Sequence, residues 1–196
     1  MYRVTVESTE TIIPLAKFKE FARVTSSVPS DDQLMEDLIK ASIKYCEKHT
    51  AISIESKTYE KTFKHGSRDK IGAEDFELRK GVVTEILAIT KRDRDGSTLD
   101  YDITDIETVN YKQYSHIFLY GAYFCRGTHF ARPLTVDFVA GYTEETLPKD
   151  LATAIMQLAL YWYENRESMQ IMDETNIADM PYGTSTILNL YRLMRL

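Results

Sequence analysis

The stretch Leu147–Arg166, LPKDLATAIMQLALYWYENR, constrains the fold more than any other part of the chain. Pro148 suits the first turn of a helix, where a backbone N–H has no partner to lose. Asp150 follows in that turn, where a carboxylate meets the positive end of the helix dipole. From Leu151 to Tyr163 only Thr153 and Gln157 interrupt an apolar run. A surface helix shows one apolar stripe. This one is apolar most of the way round, so it has to be covered on most of its circumference. It is too short, and too closely flanked by Lys149, Asp150, Glu164, Arg166 and Glu167, to span a bilayer. In a chain of 196 residues such a helix either lies at the centre of a small bundle or is partly covered by a second copy.

Residues 1–10 alternate weakly, as an edge strand or an ordered arm would. Pro14 followed by LAKFKEFARV predicts a short helix with Leu15, Phe18 and Ala22 inward. Ser30-Asp31-Asp32-Gln33 matches a capping box, Ser30 at N-cap and Gln33 at N3, and opens a helix to about His49. At Thr50 the period changes to alternation, and residues 51–63 read as a strand with a bulge. Phe76–Leu78 reads as a short strand. Val82–Lys91 and Thr98–Ile103 flank Asp93-Arg94-Asp95-Gly96, a hairpin signal. Alternation continues over Thr108–Cys125, and Arg132–Tyr142 places Leu134, Val136, Phe138 and Ala140 in phase. Residues 167–181 show no period and read as a mobile acidic connector. A last helix is expected from about Thr184 to Leu196, capped by Thr184 or Ser185. The fold class is therefore α+β: a small bundle of about four helices (residues 1–50 plus 143–196) with an antiparallel β module of five to seven strands (51–142) inserted between its second and third main helices.

Chemistry-bearing patterns are scarce. His49, His65, His116 and His129 occur singly, with no metal-ligand spacing. There is no nucleophile elbow, phosphate-binding loop or dinucleotide glycine motif. Cys46 lies on a core helix face and Cys125 in an aromatic strand, so both read as buried structural thiols of a reduced, intracellular protein. Turn and capping chemistry accounts for Asp31, Asp32, Asp93 and Asp95. No catalytic, cofactor or metal site is expected. The net charge is −6, and residues 143–180, with eight acids and two bases, hold all of it. No basic stripe exists to neutralise phosphates, which disfavours a nucleic-acid-binding module.

Four stretches resemble the head–tail connector (adaptor) proteins of tailed bacteriophages, in the longer form whose helices are separated by a β module. They are LAKFKEFARV with DDQLMEDLIKASIKYCEKHTAISI; ELRKGVVTEILAIT with DRDGSTLDYDI; RPLTVDFVAGYTEETLPKDLATAIMQLALYWYENRE; and MPYGTSTILNLYRLMR. The third is the most specific, running from a strand end at Ala140-Gly141-Tyr142 to a helix closing on Trp162-Tyr163-Glu164-Asn165-Arg166-Glu167.

The resemblance implies a structural virion protein without catalysis or cofactor, located in the neck and in the host cytoplasm during assembly. Its partners would be other copies of itself in a ring, typically of twelve, the portal above and a neck or tail protein below. DNA would pass through without specific binding, and no membrane is involved. On that reading Leu151, Ile155, Leu158 and Trp162 are candidates for a subunit-interface helix. Leu190, Tyr191, Arg192, Leu193, Met194 and Arg195 form a candidate portal-docking tail. Glu144, Glu164, Glu167 and Asp173 are candidates for an acidic lumen face that repels DNA phosphates. A neck stopper or tail-completion protein is the alternative within the same particle, and a small enzyme with an unrecognised site is the alternative outside it.

Overall fold

The computed structural model describes residues 2–8, 11–24, 29–63, 75–92, 98–100, 106–119, 134–165 and 181–193. Its four helices and antiparallel sheets make an α+β protein, as expected from the sequence. The chain divides into two compact units, residues 10–54 with 143–196 and residues 1–9 with 55–142.

In the helical unit, α1 (Leu15–Ala22) begins directly after Pro14, whose extended backbone sets the entry. α2 spans Pro29–Thr50. It starts one residue ahead of the expected cap, so Ser30 lies inside the first turn rather than at N-cap. α3 spans Lys149–Glu164 after Pro148. α4 spans Tyr182–Tyr191 after Pro181, again earlier than expected. Thr184 is therefore a buried residue within that helix rather than its cap, and its hydroxyl donates to Gln157 Oε1 of α3 at 3.3 Å. The expected connector at 167–181 lies almost wholly outside the described residues, as do the tight turn at Asp93–Gly96 and Cys125.

α3 buries eight side chains: Leu151, Ala152, Ala154, Ile155, Met156, Leu158, Ala159 and Trp162. Against it stand Met35, Leu38, Ile39, Ile43 and Cys46 of α2, Phe18 of α1, and Leu188 and Tyr191 of α4, all buried as well. Each large aliphatic side chain so covered contributes on the order of 2 kcal/mol. The buried hydroxyls in this region are satisfied locally: Ser42 Oγ donates to Ile39 O and Thr50 Oγ1 to Cys46 O.

The expected strand at 51–63 begins only at Lys57. Ala51 takes a left-handed conformation (φ 63°) and closes α2 with its N–H on Glu47 O at 2.9 Å. Glu47 Oε1 then accepts from the Ile54 N–H at 2.9 Å. Ile52 and Ile54 are buried, so the alternation in this segment reports burial without a sheet ladder.

The β unit contains a five-stranded and a three-stranded sheet. β1 (Tyr2–Val6), β2 (Lys57–Phe63), β8 (Leu134–Ala140), β4 (Val83–Arg92) and β5 (Thr98–Asp100) run in that order across the first, antiparallel throughout. β3 (Asp75–Leu78), β7 (Ser115–Leu119) and β6 (Ile106–Asn110) form the second. β8 is central, and its Leu134, Val136, Phe138 and Ala140 are all buried, as their phase predicts. With Tyr59, Phe63, Phe76, Leu78, Ile89 and Ile117 they make one apolar core shared by both sheets. The N-terminal residues form an edge strand and join this unit. The Tyr2 hydroxyl accepts the Arg79 N–H at 2.6 Å, and the Lys61 ammonium, 4% exposed as a residue, lies 4.1 Å from the Tyr2 ring centroid. Such a cation over an aromatic face is attractive and tolerates burial.

The Ala140-Gly141-Tyr142 strand end has a geometric cause. Gly141 has φ 132°, and a Cβ there would sit 2.2 Å from the Glu55 carbonyl oxygen. The Gly141 N–H donates to Val82 O at 3.0 Å, and Tyr142 makes a parallel bridge with Glu55. Only glycine lets the two chain segments approach this closely. Gly141→Ala should therefore cost about 3 kcal/mol or more, read as a fall in the denaturant midpoint; an unchanged midpoint would contradict the close approach.

On the outer face of the five-stranded sheet Glu60 stands directly opposite Asp137. Partial burial, and then the neighbouring Glu60 charge, raise the Asp137 carboxyl above its ordinary value. The folded chain thus favours protonated Asp137, so the pair weakens the fold at neutral pH and relaxes as pH falls through the raised value. Asp137→Asn should stabilise the protein by roughly 0.5 kcal/mol at pH 7. That advantage should vanish as pH approaches 3.8, measured by thermal melts across pH.

Candidate functional site

The candidate interface residues Leu151, Ile155, Leu158 and Trp162 are buried by the chain's own helices. Trp162 stands edge-on to Tyr45 of α2 at 5.8 Å between ring centroids, and Tyr45 in turn stacks on His49. The surface α3 leaves partly open is the opposite one, with Leu160, Tyr161 and Tyr163 half-buried and Glu164 exposed.

The candidate docking tail divides into an anchored part and an open part. The Tyr191 ring is buried and its hydroxyl lies 2.8 Å from both oxygens of Asp150. One proton shared between two carboxylate oxygens ties the end of α4 to the first turn of α3. Asn189 Oδ1 lies 3.3 Å from His49 Nε2, and the Leu193 N–H donates to Thr50 O at 2.9 Å. α4 is thus already docked on α2 and α3. Leu190, 65% exposed, and Arg192 face outward. Met194 and Arg195 lie outside the described residues.

Of the candidate acidic face, Glu144 and Glu164 are exposed, with Glu145 beside Glu144. Lys17 Nζ approaches Glu144 at 4.0 Å, an exposed pair of little energetic weight. Glu167 and Asp173 lie outside the described residues.

Among the described residues Cys46 offers no reactive thiol. Burial pushes the Cys46 thiol up to about 12, with the Glu47 charge adding to it, which keeps it protonated and unreactive. Among the described residues no cluster of three or more His, Cys, Asp or Glu side chains could hold a metal ion, and no helix is long and apolar enough to cross a membrane.

Sequence reasoning missed one feature, the hairpin tip between β6 and β7. Tyr111 and Tyr114 stack at 4.9 Å, with Tyr111 N–H on Tyr114 O. His116 Nδ1, packed beside both rings, lies 2.9 Å from Asp75 Oδ1. Asn110 and Ser115 fasten the base of the hairpin to Gly81 and Val83. The only signal in the sequence was the spacing of the two tyrosines across Lys112-Gln113, which lacks the glycine of a standard two-residue turn.

The described residues thus make a two-unit α+β chain. Residues 11–194 match the head completion protein family, and the chain belongs to that family, in keeping with the phage connector resemblance of its four sequence stretches. Among solved structures it is similar over its whole length to a chain in the neck of an empty gene transfer agent particle computed with C6 symmetry. The two share 21% identity and a TM-score of 0.73, covering 97% of that chain. A chain in the virion of the native gene transfer agent particle gives the same values. One in the native neck computed with C12 symmetry gives 22% identity and a TM-score of 0.70, again over all of this chain and 97% of that one. These likenesses establish a shared fold. No curated protein matches the chain.

Phenylalanine at Tyr191 preserves the buried ring and deletes the bond to Asp150. A hydrogen bond to a charged group is worth about 1.5–3 kcal/mol. Tyr191→Phe should lose stability in that range and speed hydrogen exchange along α4; equal exchange in the two proteins would show that α4 is held by packing alone.

Proposed function

We propose that this protein is a non-enzymatic structural subunit of a phage-type neck, an adaptor that closes into a ring of twelve beneath the portal. The ring would extend the DNA channel and give the next neck or tail protein its docking surface. The observation that carries the reading is the full-length likeness to chains solved in a neck of C12 symmetry, in a chain of the head completion protein family. The helical unit, with its four helices, favours an adaptor over a stopper. In this reading residues 1–50 plus 143–196 serve as the connector core and 51–142 as an inserted β module, except that strand β1, from residues 1–9, goes with the β module. A cyclic ring buries one face of each copy against a different face of the next.

The roles of the candidate residues follow. Leu151, Ile155, Leu158 and Trp162 form the inner face of the interface helix and hold its outer face, Leu160, Tyr161 and Tyr163, in place for the neighbour. Leu190 and Arg192, continued by Met194 and Arg195, contact the portal, with Tyr191 and Leu193 fixing them to the bundle. Glu144, Glu164, Glu167 and Asp173 face the lumen, where their repeated charge keeps DNA from adhering. The particle neck is the protein's destination, reached from the host cytoplasm.

Light scattering after size exclusion should show a large closed oligomer, alone or once portal-bearing heads are added. Co-sedimentation with those heads should be lost in Leu190→Lys/Arg192→Glu while its thermal midpoint matches the wild type. Normal co-sedimentation of that variant would remove the docking tail. Wild-type protein that binds only heads already carrying another ring would favour the stopper reading.

A further inference from the structure

The five-stranded sheet ends in β1 on one side and β5 on the other, and among the described residues neither has a partner on its outer side. An open edge presents unpaired N–H and C=O groups and is normally blunted by proline, inward charge or a cover. β1, sequence YRVTV, has no proline, and its Val4 and Val6 are 44% and 58% exposed.

The register relates the two edges to each other. Four antiparallel steps separate β1 from β5, so the two strands run in the same direction. Arg3, Glu60, Asp137 and Ala88 form one row across the outer face, and Thr62, Thr135, Thr90 and Asp100 form another on that same face. Arg3 and Asp100 therefore stand on one face of the sheet, at opposite edges, both exposed and of opposite charge. A rotation about an axis inclined to the strands, enough to shift the edge by the two residues (roughly 7 Å) that separate these rows, would carry the β5 edge of one copy to the β1 edge of the next. It preserves strand direction, so the new pair is parallel, with evenly spaced hydrogen bonds. It also joins two different surfaces, the condition for a cyclic ring rather than a two-fold dimer.

We infer that β1 of one copy pairs with β5 of the next, Arg3 facing Asp100 across the seam, so that the β modules form a continuous sheet around the ring. The inference rests on the ring reading above and assigns the seam to the β unit in addition to α3. The seam covers the open backbone of both edges and the exposed side of Val4 and Val6, while the charge pair selects the register.

Charge reversal tests it. Arg3→Glu and Asp100→Arg should each raise the concentration needed for half-assembly by about tenfold or more, and the double reversal should restore it. Sedimentation velocity and electron microscopy, on the protein alone and on portal-bearing heads, provide the readout. Arg3→Glu also faces Glu60 within its own sheet, so a second variant guards against simple misfolding. Arg3→Cys/Asp100→Cys, oxidised in the assembled state, should give a ladder of covalent oligomers on a non-reducing gel. Assembly unaffected by either reversal, a double reversal that stays unassembled, or a cysteine pair that yields only monomer overturns the seam while the ring stands. Wild-type protein that forms no ring alone or on heads overturns the ring reading and the seam together.

Discussion

Everything in the helical unit depends on the need to cover α3. A helix apolar on most of its circumference cannot stand at a surface, and no single neighbour can cover it. α1 and α2 from before the β module, and α4 from after it, all contribute side chains to that cover. Helices from both ends of the chain are therefore held to one core, and a β module can sit between α2 and α3 only if its two connections allow α3 to return there. Ala51, in a left-handed conformation, ends α2 abruptly. At the other connection Gly141, lacking a side chain, lets the returning strand pass against the outgoing one at Glu55. These two backbone positions let a helical core carry a β module without breaking either.

The polar interactions of α4 complete the same logic. α4 is short, and of its described side chains only Thr184, Leu188 and Tyr191 are buried, so directional contacts help to fix its register. Thr184 to Gln157, Asn189 to His49 and Tyr191 to Asp150 give it three directional contacts along its length. The Asp150 contact also uses a carboxylate already placed favourably at the start of α3. One side chain in the first turn of α3 thus also anchors α4, and the exposed Leu190 and Arg192 are presented from a fixed frame.

The parts of this fold legible in the sequence were those with a strong period and no competing constraint. β8 alternates cleanly because one of its faces is buried along its whole length. α3 declared itself by its apolar circumference, and Pro14, Pro148 and Pro181 each lie just before a helix start. The misreadings share a cause. Residues 51–56 alternate because Ile52 and Ile54 are buried, and burial imitates strand periodicity where no ladder exists. Thr184 looked like a cap because capping and buried hydroxyl roles select the same residue type.

Surfaces for assembly were the least legible, for a physical reason. A sequence records how apolar a side chain is, but not which molecule covers it. Leu151, Ile155, Leu158 and Trp162 looked like surplus apolar area only until α1, α2 and α4 were placed around them. Among the described residues the exposed large apolar side chains are instead Val4, Val6, Leu87, Tyr111 and Leu190. Leu87, Tyr111 and Leu190 lie far apart in the sequence, whereas Val4 and Val6 share one strand. β1 differs also because it is an edge strand with no partner strand on its outer side among the described residues, as is β5 at the other end of the same sheet. In the proposed ring, joining one copy to the next calls for two complementary edges on opposite sides, and the register across these five strands places β1 and β5 there with the same strand direction.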